Sequence, residues 1–346
     1  MDKKRASNFE LLRILCIFGI ITMHTFSRID ISGSVPNTLW NVFCDSIFNT
    51  GVTCFVLLSG YFGIRFDLQK LIRLDLMVIF FTVLGTVVIG DLGIKSLIKA
   101  CIPVLSRRYW FITCYFALCF LAPFLNRAAE KMTQAYFRRL LLALLFLFSI
   151  VPTFGFYDIT MEAGKGIVNF ILSYLIGRYL FFYHQKQDSS ARLLTGIAVS
   201  ILCIFVADGF LSLHQGVLYM TFSRDCSLFI IFAAVLLVLL FRNFSFQSAI
   251  INRAAGDVLA VYVLDEFIRT FFNRYVSLND YRDAWYFILI VFAYVLVVML
   301  TAILINEVRR LTVGRLEPWL GRVIASIIMW FVNRFARFAH LDLGSE

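Results

Sequence analysis

The chain has 346 residues, of which 60% are hydrophobic and only 16% are charged, and its mean hydropathy is +0.83. Soluble domains are about half apolar, so this composition excludes an ordinary soluble protein and indicates an integral membrane protein. The net charge is +10, but the basic residues fall mainly in short gaps between apolar runs. That placement is typical of membrane topology control, and we therefore expect no nucleic-acid partner.

Apolar runs long enough to cross a bilayer recur along the chain. A spanning helix needs about 20 mainly apolar residues, and the sequence predicts ten such spans: 9–28, 44–64, 72–90, 109–125, 138–154, 166–183, 193–209, 223–241, 257–272 and 284–306. With the N-terminus in the cytoplasm, the cytoplasmic gaps hold 20 Lys and Arg residues and the outer gaps hold 10. Because cytoplasmic loops are enriched in Lys and Arg, we predict an all-α polytopic bundle in the cytoplasmic membrane with both termini inside.

Two further segments are predicted to be amphipathic helices on the membrane surface. The first would lie on the outer face, and its apolar stripe is Ile94, Leu97, Ile98, Cys101 and Leu105. The second would lie on the cytoplasmic face, and its stripe is Trp319, Val323, Ile327, Phe331 and Phe335. The chain is thus divided into a transmembrane domain at residues 1–310 and a cytoplasmic interfacial tail at residues 311–346.

The first predicted span contains Glu10, Arg13 and His24, although a charged residue at the bilayer centre costs about 2.5–3.5 kcal/mol on insertion scales. Arg13 and His24 are eleven residues apart, which places them within about 20° of one helix face and about 16 Å apart along the axis. Glu10 lies on the same side, where we expect it to orient Arg13. Two interpretations stay open: Arg13 snorkels to the headgroups and His24 caps a loop, or the shared face points into the bundle and has a function.

The chemistry of this shared face fits a long phosphorylated ligand. An imidazole acts as a general base toward a hydroxyl near neutral pH, and a guanidinium suits phosphate groups. A ligand with phosphates at one end and a reactive group about 16 Å away would fit between the two side chains. Coenzyme A carrying a thioester has that shape, so we expect acetyl-CoA or another short acyl-CoA as the donor.

Two further motifs accompany the R-x10-H spacing. One is Phe55-x3-Ser59-Gly60-Tyr61 within GVTCFVLLSGYFGIR, and the other is RRYWFITCYFALCFLAPFLN at residues 107–126. With these motifs, the chain from residue 8 to about residue 306 resembles the acyltransferase family 3 membrane proteins. Members of this family acylate sugar hydroxyls, often by O-acetylation of cell-surface polysaccharides.

The resemblance implies roles for matching residues of this chain. His24 corresponds to the catalytic histidine of the family, and Arg13 corresponds to the arginine that holds the acyl-CoA. Arg65, Lys70 and Arg73, which follow the second span, would help to bind the CoA phosphates. Ordinary anchoring of positive residues on the cytoplasmic side explains these three equally well.

The resemblance also implies a substrate pocket that contains Ser59, Tyr61, Trp110 and Tyr115. Trp110 is also explained as a member of the aromatic belt at the membrane surface. Gly60 is explained by close packing of helices, which is the commoner use of glycine in membrane spans.

The chain departs from the family near the outer end of the ninth span. Many bacterial relatives carry Y-L-x-H-E there, whereas this chain has the run YVLDE, which ends in Asp265 and Glu266. The two adjacent carboxylates either hydrogen-bond a sugar in the substrate pocket or are solvated charges at the membrane edge. The acceptor specificity of the family therefore does not carry over to this chain.

These observations predict an integral membrane acyltransferase that moves an acetyl or short acyl group from cytoplasmic acyl-CoA to a sugar hydroxyl. The expected partners are acyl-CoA, a cell-surface polysaccharide or lipid-linked glycan acceptor, and the bilayer. His24 would be the general base, and an acyl-histidine intermediate stays open. No His, Asp or Glu spacing predicts a metal site, so no metal is expected.

The alternative is a transporter or flippase that uses Arg13 and His24 as an intramembrane relay. Transporters are often built from two repeated halves with matching broken helices. The chain shows no clear second copy of the pattern in its first span, which favours the acyltransferase.

Overall fold

The computed structural model describes residues 6–31, 33–155 and 157–338. Within these ranges the chain forms helices and no strand, which confirms the all-α prediction. Residues 1–5 and 339–346, at the two ends of the predicted division into domain and tail, lie outside the described residues. The helices are α1 (Ser7–Phe26), α2 (Val35–Phe48), α3 (Thr50–Phe62), α4 (Leu68–Ile89), α5 (Ile94–Cys101), α6 (Trp110–Lys131), α7 (Gln134–Leu145), α8 (Val151–Phe154), α9 (Ile167–Tyr183), α10 (Ser190–Gln215), α11 (Leu228–Arg242), α12 (Ala249–Ala255), α13 (Val258–Phe272), α14 (Phe287–Leu311) and α15 (Glu317–Phe338).

Within the described residues, seven helical stretches are long and apolar enough to cross a membrane. They are α1, the pair α2–α3 (Val35–Phe62), α4, α6, the run from α7 to α8 (Gln134–Phe154), α10 and α14. The other three predicted spans correspond to α9, α11 and α13, which have 17, 15 and 15 residues. The structure thus supports a polytopic membrane bundle with seven candidate spans, while the full set of ten stays a prediction.

The predicted span at 223–241 is shortened because a folded loop takes the place of its first turn. Asp208, a buried residue of α10, accepts hydrogen bonds from the backbone N–H groups of Thr221 at 3.0 Å, Phe222 at 2.9 Å and Ser223 at 2.8 Å. Backbone at membrane depth needs internal partners wherever it is not helical. The Asp208 carboxylate supplies them, so α11 begins at Leu228.

The first helix, α1, lies at the centre of the bundle. It packs against α2, α3, α11, α12, α13 and α14. Phe9, Leu12, Ile17 and Ile21, which point in different directions around α1, are all buried. The polar residues of α1 are therefore surrounded mainly by protein.

Two glycines allow α3 and α9 to touch along their backbones. A Cβ atom at Gly60 would overlap the carbonyl oxygen of Tyr174, and one at Gly177 would overlap the carbonyl oxygen of Leu57. Small residues commonly permit such close approach between membrane helices. The packing interpretation of Gly60 is thus confirmed, and the contact holds in place the helix that carries Ser59.

Gly60→Ala is expected to lower the free energy of unfolding by about 1–3 kcal/mol, because the added methyl group must push the two backbones apart. Thermal unfolding of the detergent-purified protein, followed by tryptophan fluorescence, measures this effect. Gly209→Ala in α10 is the matched control, since the nearest atom to its Cβ would be Leu39 Cδ2 at 3.7 Å. Equal melting temperatures for the two variants would contradict the prediction.

Both predicted amphipathic segments contain a helix. In α5 the side chains of Ile94 and Ile98 are exposed. In α15 the contact with α4 is made through Gly321, which lies against the stem of Arg73, and Ala325 is buried nearby. The predicted apolar stripe of α15 is exposed along its whole length. An uncovered apolar stripe of this kind suits a membrane surface.

Candidate functional site

A cavity of about 300 Å³ lies beside the first half of α1. Its polar side chains are those of Arg13, Ser59, Tyr115 and Tyr262. Arg13 Nη1 donates a hydrogen bond to Glu10 Oε1 at 2.8 Å, so the predicted contact between these two residues is present. The rest of the lining is Ile17, Ile20, Val52, Phe55, Leu74, Phe111, Ile112, Ala255, Gly256, Val258 and Leu259. A mostly apolar lining with a few convergent polar groups is typical of ligand pockets.

His24 belongs to a network of three side chains that joins α1 to α13. His24 Nδ1 lies 2.7 Å from Asp265 Oδ2. Asp265 accepts two hydrogen bonds from Arg269, from Nε to Oδ1 at 2.6 Å and from Nη2 to Oδ2 at 3.0 Å. Arg269 Nη1 also donates to the carbonyl oxygen of His24 at 2.8 Å. The arginine therefore holds both the carboxylate and the backbone of the histidine.

This network determines which nitrogen of His24 is available for chemistry. Because two guanidinium N–H groups point at Asp265, its carboxylate is ionised and can only accept hydrogen bonds. His24 Nδ1 must then donate the proton of this hydrogen bond, so Nε2 is the ring nitrogen that is left for a substrate. The side chain of His24 is 42% exposed, against 2% for Asp265 and 5% for Arg269. The imidazole is thus the most exposed member of the network.

Arg269 is the residue of this network that the sequence analysis missed. It was counted there among the positive charges of the outer gaps. Asp265 and Arg269 are four residues apart, so they share one face of α13. That spacing within an apolar stretch was the available signal, and the partner residue on α1 lies 241 positions away from Asp265.

Asp265 and Glu266, the two adjacent carboxylates that the sequence suggested as sugar ligands or as solvated charges, have different surroundings. Both carboxylate oxygens of Asp265 are occupied by His24 and Arg269. The side chain of Glu266 is 53% exposed and lies 3.7 Å from Arg28 Nη2. Asp265 therefore supports the histidine from inside the protein, and only Glu266 is a charge at the surface.

The four other residues expected in the substrate pocket, Ser59, Tyr61, Trp110 and Tyr115, fall into two groups. Ser59 and Tyr115 line the cavity. Tyr61 packs against Phe9 and Phe181, and Trp110 packs against Phe111 and Phe170. Neither Tyr61 nor Trp110 lines the cavity. On an α-helix, positions i and i+2 differ by about 200° around the helix axis. Tyr61 therefore points away from the wall that Ser59 forms.

The basic residues after the second span are exposed and do not line the cavity. Lys70 Nζ lies 3.2 Å from Asp67 Oδ2, and Arg65 and Arg73 lie near the same end of α4. The two interpretations of these residues, phosphate binding and topology control, both fit this placement.

Among the described residues, Arg13 is the one charged residue that lines the cavity, and it is therefore the group that a phosphorylated cofactor could meet there. The parts of the chain that the structure describes hold no group of three or more His, Cys, Asp or Glu side chains that could bind a metal ion.

Aromatic side chains of the cavity lining extend toward His24. Tyr262 lines the cavity, and its ring centroid lies 6.5 Å from that of His24. The rings of Tyr109 and Phe111 lie 5.9 and 5.6 Å from the Tyr262 ring. Arg13 and Tyr262 both line the cavity, and Tyr262 lies next to His24.

Residues 7–307 match the family model of acyltransferase family 3, which describes an acyltransferase domain. The chain therefore belongs to acyltransferase family 3. The matched region starts at the first residue of α1 and ends within α14, so it contains both the cavity and the His24 network of this acyltransferase. No curated protein and no solved structure matches the chain.

In this acyltransferase, Asp265→Asn and Arg269→Gln are each expected to lower the free energy of unfolding by about 3–5 kcal/mol, because each leaves a buried charge without its partner. The double variant should lose less free energy of unfolding than the sum of the losses in the two single variants. Unfolding by sodium dodecyl sulfate in mixed micelles measures all three.

The matched control for these three variants is Arg282→Gln. Arg282 and Asp30 form an ion pair at 3.2 Å, with side chains 35% and 59% exposed, and exposed pairs of this kind contribute about 0–1 kcal/mol. Strict additivity of the Asp265 and Arg269 substitutions would show that the two side chains do not interact.

Proposed function

We propose that this protein is an integral membrane O-acyltransferase that moves an acetyl or other short acyl group from cytoplasmic acyl-CoA to a sugar hydroxyl of a cell-surface polysaccharide or glycolipid. The observation that carries the proposal is the partly exposed imidazole of His24 on a buried carboxylate, in a chain that belongs to an acyltransferase family. Such a carboxylate orients the ring and stabilises the imidazolium that forms during general base catalysis.

The cavity is proposed to hold the reactive end of the donor. At about 300 Å³ it is at the small end of the range of about 300–1,000 Å³ for ligand pockets. It therefore suits the thioester and its pantetheine arm, while the nucleotide stays at the cytoplasmic surface near Arg65, Lys70 and Arg73. His24 and Arg13 are separated by a rise of about 16 Å along α1. The pantetheine arm can span this separation, with the thioester near His24 and the pyrophosphate near Arg13.

In the proposed reaction, His24 Nε2 accepts the proton of the acceptor hydroxyl while the hydroxyl oxygen attacks the thioester carbonyl carbon. Asp265 stabilises the imidazolium through the hydrogen bond at Nδ1. The C–S bond then breaks, and the imidazolium returns the proton to the departing sulfur. The products are a sugar ester and the free thiol of CoA.

His24→Ala is expected to lower the O-acetyl content of the cell-surface glycan by about 100-fold or more, because general acid–base catalysis alone contributes about 10²–10⁴-fold. Arg13→Ala is expected to lower it by about tenfold or more, because it removes a charged hydrogen bond to the donor. The measurement compares a deletion strain that carries the native protein or a variant at matched membrane levels.

His184→Ala is the matched control, since His184 also lies 2.7 Å from a carboxylate, that of Asp188, but is outside the cavity and the His24 network. Normal acetylation with His24→Ala would overturn the mechanism. Turnover of acetyl-CoA by the purified protein in nanodiscs, where no ion gradient exists, separates the transferase from a transporter.

Arg13→Gln is expected to raise the KM for acetyl-CoA by about tenfold or more, since a hydrogen bond to a charged group contributes about 1.5–3 kcal/mol. The KM for S-acetyl-N-acetylcysteamine, a thioester without phosphates, should stay within about twofold. The nanodisc assay measures both donors. Equal changes for the two donors would mean that Arg13 does not bind the phosphates.

A further inference from the structure

A second pocket of about 180 Å³ lies at the His24 end of the bundle. It is formed by the end of α1, the end of α13, the turn at 277–279 and the start of α14. Its lining is Thr25, Arg28, Ile29, Arg269, Asn273, Ser277, Leu278, Asn279 and Tyr294. Seven of these nine side chains are polar, and none is acidic. The pocket therefore differs in character from the mostly apolar cavity beside Arg13.

This pocket adjoins the His24 network directly. Arg269 lines the pocket, and the same side chain holds Asp265 and the carbonyl oxygen of His24. Thr25, the residue after His24, lines the pocket as well. On the other side, Tyr262 lines the donor cavity and lies beside the His24 ring. His24 is thus next to a lining residue of each cavity.

The amide side chains of the pocket are oriented so that they can donate hydrogen bonds to a ligand. Asn273 Oδ1 accepts a hydrogen bond from the Tyr294 hydroxyl at 2.9 Å. Asn279 Oδ1 accepts one from the backbone N–H of Asp30 at 2.9 Å. Because both amide oxygens are engaged, the NH₂ groups are left as the hydrogen-bonding groups that each side chain can offer. A lining of N–H donors suits a ligand with many acceptor oxygens.

Arg28 is the cation of this pocket that has capacity for a further anion. Its Nη1 donates to Thr270 Oγ1 at 2.9 Å, but its Nη2 is 3.7 Å from Glu266, which is beyond hydrogen-bond distance. Burial, followed by the nearby charge of Arg269, lowers the pKa of Arg28 from its ordinary value. An anion bound beside Arg28 would offset both effects. Glu266, whose side chain is 53% exposed, is the carboxylate with which a bound anion would compete.

We propose that this pocket binds the acceptor sugar through an anionic substituent, a carboxylate or a phosphate, that is held by Arg28. Asn273 and Asn279 donate hydrogen bonds to the same substituent or to the ring oxygens, and a neighbouring hydroxyl is presented toward His24. This assignment rests on the proposed function, and it narrows the acceptor from sugars in general to acidic sugars. Arg28 is accordingly a residue that determines specificity.

The test measures binding to the full-length protein in nanodiscs by ligand-observed NMR titration. The probes are methyl β-D-glucuronide, glucose 1-phosphate and the neutral methyl β-D-glucoside. At least one of the anionic sugars is expected to bind about tenfold or more tightly than the neutral one. Comparison of the two anionic probes identifies carboxylate or phosphate as the preferred group. Equal binding of all three sugars, or binding of none, would overturn the proposal.

Two substitutions are expected to change the affinity in opposite directions. Arg28→Gln should weaken binding of the anionic probe by about tenfold without changing that of the neutral one, since it removes one charge-assisted contact. Glu266→Gln should strengthen anionic binding, because it removes the competing carboxylate. Arg282→Gln is the matched control, since Arg282 is a cation of the same end of the bundle that does not line the pocket. Equal effects of Arg28→Gln and Arg282→Gln would refute the assignment.

The result is separable from the test of the proposed function. If an anionic probe binds as expected but His24→Ala leaves surface acetylation intact, the pocket stands and the transferase mechanism fails. If acetylation requires His24 but no probe binds, the mechanism stands and the acceptor assignment fails.

Discussion

The arrangement around His24 depends on the ion pair between Asp265 and Arg269, which is buried inside an apolar bundle. A single charge in such an environment is costly, whereas a pair with several hydrogen bonds is tolerated. The two side chains are four residues apart on α13, so they pair within one helix. From there the carboxylate and the guanidinium both reach α1, and they fix the ring and the backbone of His24.

The central position of α1 explains why a membrane helix can carry an acid, an arginine and a histidine. It is surrounded by other helices, so Glu10 and Arg13 meet each other beside a cavity, and His24 meets Asp265. Each polar group of this face therefore has a protein partner. Residues of this kind in membrane helices usually mark a site rather than a structural support.

The two cavities near His24 differ in their lining, and the difference suits an acyl donor in one and a sugar acceptor in the other. The cavity beside Arg13 has an apolar wall with one cation, which suits a flexible arm that ends in phosphates. The pocket beside Arg28 is lined mainly by hydrogen-bonding groups, which suits a sugar. A histidine between them can take a proton from one ligand while the other supplies the carbonyl, and this is the geometric basis of the proposed reaction.

The sequence by itself determined the membrane class and the shared face of Glu10, Arg13 and His24, because hydropathy and helical spacing are local properties. Only the tertiary structure decided that Asp265 supports His24, since the two residues are 241 positions apart and meet only when α13 packs on α1. The pocket beside Arg28 likewise brings the end of α1 together with residues 269–294. Such pairings depend on how helices pack against each other, and no periodicity within a single helix encodes them.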